Sequence, residues 1–336
     1  MDLTTRYLGL ELRNPLVASA GPLSQTVAGI RSLDDGGVGA IVLYSLFEEQ
    51  LRREAASIAE LEELYDDSFA EAISYFPNVP SARRDASHPY LRLVEEATRL
   101  CEVPVIASLN GASVGGWTET ARRLEEAGAA AIELNIYYVP GDLTMSGRDV
   151  EQRHVDILAG VKQTVGVPVA VKLSPYFSSV GNMALQLDAA GADGLVLFNR
   201  FLQPDIDIDR VTIESGVSLS SPIEARLPRT WIAVLRDKVR ASLAATTGVD
   251  TAEDVIKYIL AGADVVMTTS ALVRRGAAYA QVLVDGLEEW LEARNLPLAQ
   301  ARGLLAVPKD TATDAYERAG YVSALEKAKK TYGSLR

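Results

Sequence analysis

Short runs of β-branched and other apolar residues recur along the chain, separated by longer stretches in which apolar residues return every three or four positions. The first pattern predicts strands and the second amphipathic helices, so their alternation predicts parallel strands joined by crossover helices. Eight such runs are legible, at residues 16–20, 40–44, 105–109, 131–135, 169–172, 194–198, 240–244 and 265–268, with amphipathic stretches such as 118–127 and 149–164 between them.

The even-numbered runs share an entry cue. Each follows a glycine and a small residue: Gly37-Val38-Gly39-Ala40, Gly128-Ala129-Ala130-Ala131, Gly191-Ala192-Asp193-Gly194 and Gly262-Ala263-Asp264-Val265. Glycine just past a helix end takes a left-handed conformation cheaply and turns the chain back into the sheet. Runs three and five open instead with Val103-Pro104-Val105 and Val167-Pro168-Val169, where proline stops the helix. Eight strand–helix units with this alternation predict an α/β fold of the TIM (β/α)8 barrel type rather than an open doubly wound sheet. Residues 4–13 are expected to form a hairpin across the barrel floor, and 277–294 and 299–330 to form trailing helices. The whole of 1–336 is expected to be one domain, with the hairpin in 1–15, the barrel in 16–275 and the extra helices in 276–336.

Composition narrows the function classes. With 336 residues, 48% hydrophobic and 23% charged, the chain is long and apolar enough for a large core, which excludes disordered and low-complexity classes. A net charge of −12 repels phosphate backbones and anionic lipid, so neither nucleic acid nor membrane is expected as a partner. One cysteine, Cys101, rules out an internal disulfide framework or a multi-thiolate cluster. Residues 1–14 lack the basic-then-apolar order of a secretion signal, and a cytoplasmic location is expected.

In a barrel the site gathers at the carboxyl ends of the strands. Those positions hold Ser19, Ala20 and Gly21; Tyr44 and Ser45; Asn110 and Gly111; Asn135; Lys172; Asn199 and Arg200; Thr246, Thr247 and Gly248; and Thr269 and Ser270. Amides offer donors and acceptors to a planar heterocycle, while Lys172 brings one compact positive charge. Because it ends an apolar run, its ammonium must enter the mouth, where a buried charge needs an anionic partner. Hydroxyls after strands seven and eight, Thr247 with Gly248 and Thr269 with Ser270, suit a phosphate. A cofactor with a phosphate tail and a flat polar ring would span both ends, as FMN does. The glycines of 111–116 lack the spacing of a dinucleotide fingerprint and are expected in a loop. His88 and His154 are expected at a helix start or the surface, Cys101 as a structural thiol, and the acidic stretch 48–67 as a solvated helical face.

Leu12-Arg13-Asn14-Pro15-Leu16-Val17-Ala18-Ser19-Ala20-Gly21, Ile132-Glu133-Leu134-Asn135, Val171-Lys172-Leu173-Ser174-Pro175-Tyr176 and Thr247-Gly248-Val249-Asp250-Thr251-Ala252-Glu253-Asp254 together resemble the dihydroorotate dehydrogenase family, from about residue 3 to 275. The resemblance implies FMN at the strand ends and hydride transfer from a small dihydropyrimidine-like substrate. It also implies that Ala20 and Gly21 lie against the flavin, that Lys172 stabilises the reduced ring, and that Asn135 is shared between flavin and pyrimidine; Ser19, Ser45 and Asn110, at the neighbouring strand ends, are candidate cofactor contacts on position alone. Asn199 then faces the substrate, with Arg200 beside it a substrate-binding candidate by its strand-end position, and Thr247, Gly248, Thr269 and Ser270 hold the phosphate.

The chain departs from the family at three places. Tyr44 stands where the family carries a flavin-packing lysine, Tyr138 where it carries the catalytic Cys or Ser, and Ile73-Ser74-Tyr75-Phe76-Pro77 where a substrate-gripping segment is found. Lys172, Tyr44 and Tyr138 are therefore the candidate catalytic residues, and the loop 140–148 a candidate lid. A soluble electron acceptor or partner protein is expected, and a homodimer stays open. Two alternatives remain: a barrel lyase or synthase with a phosphate site and no flavin, and a flavin-binding subunit without turnover.

Overall fold

The computed structural model describes residues 1–48, 89–111, 114–137, 141–200, 204–214, 216, 218–309 and 313–332, without the side chains of 114, 313–319 and 330–332. Eight parallel strands close into a barrel: β3 (Leu16–Ala18), β4 (Ala40–Phe47), β5 (Val105–Asn110), β6 (Ala131–Asn135), β7 (Val169–Leu173), β8 (Gly194–Leu197), β11 (Ser242–Ala245) and β12 (Val265–Thr268). Strand β12 pairs with both β11 and β3, and this double pairing closes the ring. The seventh strand begins at Ser242 rather than at 240 because Asp188 takes the amides of Arg240 and Ala241 at 2.8 Å each, ahead of the ladder.

The predicted punctuation is present. Gly37, Gly128 and Gly191 each have φ +96° and Gly262 has φ +121°, the region a side chain disfavours. Helix starts are capped by side chains: Thr26 accepts from Gly29, and Ser146 with Asp149, and Thr251 with Asp254, form reciprocal capping boxes.

Alternation along each strand sorts two cores. Outward residues such as Ile132, Leu134, Val169, Val171 and Leu173 pack beneath the helices. Inward residues Val17, Val42, Ile106, Val196, Ala244 and Met267 fill the barrel. The hairpin, β1 (Thr5–Tyr7) and β2 (Leu10–Leu12), plugs the floor with Tyr7, Leu8 and Leu12. Small inward residues accommodate that plug: a Cβ on Gly194 would stand 2.5 Å from Leu8 Cδ2. With the floor apolar and closed, inward polar groups collect at the opposite end, where Ser108, Glu133, Asn135 and Lys172 are all buried.

Several expectations need correction. The stretch after 298 is a short helix, Leu298–Ala301, a turn, and then Thr313–Tyr332, because Gly303 at φ +76° breaks the run. His154 is neither at a helix start nor on the surface. It is 2% exposed inside Gly147–Lys162, its Nδ1 2.7 Å from the Val150 carbonyl and its ring edge-on to Phe177. A further hairpin, β9 (Asp205–Asp207) and β10 (Thr212–Glu214), follows β8 unannounced. Its turn carries Val211 at φ +53°, a residue with no sequence signature for that conformation. Tyr138, His88, residues 73–77 and most of 48–67 lie outside the described residues.

Candidate functional site

The mouth is built from strand ends upward. Strand β7 alternates Ala170 and Lys172 inward, so the lysine emerges at the top of the barrel, 7% exposed. Its anionic partner is Glu133, two residues before Asn135 on the same inward face of β6: Nζ to Oε1 is 3.5 Å, with the carboxylate side chain 1% exposed. Register puts Ser45, Ser108 and Glu133 side by side across β4, β5 and β6. The Ser45 and Ser108 hydroxyls meet at 2.7 Å, Asn135 Nδ2 donates to Ser45 at 3.0 Å, and Asn199 Nδ2 donates to Asn135 Oδ1 at 2.6 Å.

Tyr44 sits where β4 is irregular, the register shifting between Val42 and Ser45. Its ring meets Tyr90 edge-on at 4.9 Å, and the Tyr90 hydroxyl donates to the Tyr44 carbonyl at 2.8 Å. Burial keeps the Tyr90 phenol neutral far above its ordinary range, so it is a structural clamp between β4 and the Ser108 carbonyl, 3.1 Å away.

At the other side, Thr247 (φ +80°) and Gly248 (φ +73°) turn sharply after β11. The Thr247 hydroxyl donates to the Phe198 carbonyl at 3.0 Å, and Gly248 N donates to Ser220 Oγ at 3.2 Å. Ser220 and Ser270 hydroxyls lie 3.0 Å apart, and Thr269 Oγ1 donates to the Ser19 carbonyl at 2.7 Å.

Two hollows open over these groups. One of about 360 Å³ is walled by Ala20, Gly21, Tyr44, Ser45, Asn135, Lys172 and Asn199. The other, about 130 Å³, runs from Ala20, Lys172 and Asn199 to Ser220, Thr247, Thr269 and Ser270. Most of the expected residues thus converge. Arg200 does line the second hollow, but its guanidinium is held by Glu224 at 2.9 Å and by the Ser218 carbonyl, which limits its charge toward a substrate. Asn110 is buried at the end of β5, opposite Phe47, and walls neither hollow. Cys101 is at the floor end before β5, and burial pushes its thiol up to about 11, as an inert structural thiol requires.

Three participants escaped sequence reasoning. Glu133 was legible: alternation from Asn135 puts it inside the barrel, and Lys172 called for an anion. Ser108 follows by the same alternation from Asn110. Ser220 had no local signal, since it comes from the irregular chain between β10 and the helix Arg226–Leu235. Among the described residues no group of three or more His, Cys, Asp or Glu could hold a metal, and no helix is long and apolar enough to cross a membrane.

A closed barrel with a buried polar layer under hollows at the carboxyl ends of its strands defines a TIM-barrel protein whose candidate site lies at those strand ends. The family model described as dihydroorotate dehydrogenase matches residues 2–291, and the chain belongs to that family. It is 30% identical over 310 residues to the Methanocella arvoryzae protein named dihydroorotate dehydrogenase B (NAD(+)), catalytic subunit, spanning 90% of this chain and 98% of that one. Proteins of the same name from Listeria welshimeri (30% over 273 residues, 79% and 85%) and Thermoplasma acidophilum (27% over 300 residues, 87% and 94%) are similar too. The family's members are flavin-dependent oxidoreductases, and this chain is an oxidoreductase acting on a CH–CH group.

Proposed function

We propose that the mouth holds FMN and that the chain oxidises a small dihydropyrimidine-like substrate there. The observation that carries this reading is the lining of the two adjacent hollows, which have Ala20, Lys172 and Asn199 as a common wall. One lobe offers amides, an ammonium and an aromatic side chain to a flat ring; the other is lined by Ser220, Thr247, Thr269 and Ser270. Because the Thr247 and Thr269 hydroxyls already donate to the Phe198 and Ser19 carbonyls, the paired Ser220 and Ser270 hydroxyls are what can donate to a phosphate there. The donor set fits both halves of FMN, and Gly248 lets the turn behind the phosphate end pack directly on the Ser221 and Ala225 backbone.

In this reading Ala20, Gly21, Ser45, Asn135 and Lys172 form the ring side, Ser19, Thr247, Thr269 and Ser270 the phosphate side with Gly248 in the turn behind it, and Asn110, which walls neither hollow, makes no direct contact. FMN, when bound, supplies a two-electron acceptor for a hydride leaving a substrate carbon. Lys172 holds a positive charge where negative charge develops. Asn135 and Asn199 orient the substrate, and Arg200, tied back by Glu224, closes the outer wall. The proton released from the neighbouring carbon goes to a phenol, Tyr44 or Tyr138, which passes its own hydrogen to water; an unperturbed phenol, with a pKa of about 10, cannot serve as a standing base at neutral pH. A soluble acceptor or a partner protein would serve as the final electron acceptor, in keeping with relatives named dihydroorotate dehydrogenase B (NAD(+)), catalytic subunit. A cytoplasmic enzyme of pyrimidine metabolism would have these properties.

The test is titration of flavin-free protein with FMN and with riboflavin. Tight equimolar quenching of FMN fluorescence is expected, with riboflavin binding at least about 100-fold more weakly because it lacks the charge-assisted phosphate contacts. Failure to bind FMN rejects the reading.

A further inference from the structure

A polar chain runs beneath the mouth and ends on a carboxylate. Asn199 donates to Asn135, Asn135 donates to Ser45, and Ser45 meets Ser108, whose Oγ lies 3.5 Å from Glu133 Oε1. An ionised carboxylate only accepts, and a serine hydroxyl has one hydrogen. Ser108 therefore spends its hydrogen on Glu133, Ser45 donates to Ser108, and every hydrogen in the chain points toward Glu133.

Stability does not account for this carboxylate. A buried ion pair gains little once desolvation is counted, and truncating it to apolar residues is often neutral. The Lys172 contact, at 3.5 Å, is longer than a charge-assisted hydrogen bond of about 2.8 Å. The other oxygen, Oε2, is buried with no hydrogen-bond partner among the described residues. The direction of the chain, by contrast, has a consequence at the mouth. With hydrogens running toward Glu133, Asn199 Oδ1 is left to accept from a ligand while its second N–H can donate. Were the chain reversed, Asn135 would donate to Asn199 Oδ1, occupying one of its two lone pairs and turning both Asn199 hydrogens toward the ligand, so the edge presented would change from acceptor-rich to donor-rich.

We infer that Glu133 is a positioning residue: its buried charge retains the Lys172 ammonium in the mouth and fixes the Asn135 and Asn199 amides so that the site reads a cyclic –NH–CO– edge. The inference deepens the proposed function and rests on it for the ligand class. It needs no contact between Glu133 and the ligand.

The test compares wild type, Glu133→Gln and Glu133→Asp, all loaded with FMN, by the shift of the flavin absorbance on binding orotate, 1-methylorotate and 3-methylorotate. Wild type and Glu133→Asp are expected to lose about tenfold or more in affinity for at least one methylated ligand, as a site built around a ligand N–H does. Glu133→Gln is expected to bring that ratio within about threefold. In parallel, acetylation of Lys172 by acetic anhydride, followed by mass spectrometry, should run about tenfold faster in Glu133→Gln and return toward the wild-type rate in Glu133→Asp, as loss and rescue of a counter-ion require. A wild-type ratio and a wild-type labelling rate in Glu133→Gln overturn the inference. If that variant does not fold, Ser108→Ala decides: the ratio should collapse while labelling stays unchanged, and an intact ratio overturns the inference. Wild type that binds no FMN defeats the proposed function instead, and labelling of the flavin-free proteins still decides the role of Glu133.

Discussion

Thr269 and Gly21 meet where the last barrel strand joins the first: the Thr269 hydroxyl is fixed to the Ser19 carbonyl at 2.7 Å, and a methyl group on residue 21 would collide with Thr269 Cγ2. The wall of both hollows at this point has no room for one more carbon. Gly21→Ala should therefore push Thr269 off its hydrogen bond and weaken FMN binding about tenfold, or about 1.4 kcal/mol, with the barrel still folded. Thr269→Ser, which removes the obstructing carbon and keeps the hydroxyl, should restore affinity in the Gly21→Ala background. Fluorescence titration reads both; an unaltered affinity in Gly21→Ala would remove this wall from the site.

Gly248 stands at φ +73°, and a Cβ there would lie 2.7 Å from the Ser221 carbonyl and 2.8 Å from Ala225 N, both backbone atoms that cannot swing aside. Gly248→Ala should cost about 2 kcal/mol of stability from the disfavoured conformation alone. It should also displace Ser220, loosening FMN more than riboflavin, because only the phosphate lobe is disturbed. Denaturant unfolding and the two titrations check this pair of outcomes.

Lys172→Met removes the mouth's buried cation and leaves Glu133 uncompensated. Loss of charge stabilisation should slow flavin reduction by substrate about 10²- to 10³-fold. Stability should fall by about 3–5 kcal/mol, the range for breaking a buried pair. Adding Glu133→Gln should recover most of the stability and none of the reduction rate, which stopped-flow absorbance and unfolding curves can separate.

Burial pushes the His154 pKa below its ordinary 6.5, outweighing the opposing pull of the Val150 carbonyl. The folded chain consequently binds fewer protons at this group than the unfolded chain does. Its contribution is fully present above about pH 6.5 and is lost as pH falls below that value, at no more than about 1.4 kcal/mol per pH unit. Melting temperature should drop between about pH 7 and about pH 5, and His154→Gln should flatten that component of the profile. A profile that keeps its slope in the variant would assign it to other groups.

The barrel was legible because its signals are local and repeated. Gly37, Gly128, Gly191 and Gly262 each report one turn, and Val103-Pro104 and Val167-Pro168 each report one helix stop, so eight strands could be placed without knowing their neighbours. Lys172, Asn135 and Asn199 were legible because they end apolar runs. What stayed hidden depends on contacts distant in sequence. The commitment of Arg200 to Glu224 and Ser218, the entry of Ser220 into the phosphate lobe and the burial of His154 against Phe177 are tertiary facts with no period or motif behind them. Glu133 lies between these cases: its place followed from alternation along β6, but its meaning needed the lysine of the next strand.

Anaerobic mixing of the FMN-loaded protein with dihydroorotate tests the central claim most directly. The account predicts that the visible flavin band bleaches as hydride leaves the substrate, and that Lys172→Met slows the bleaching by the factor given above. A protein that binds FMN yet leaves the band unchanged under dihydroorotate would contradict it.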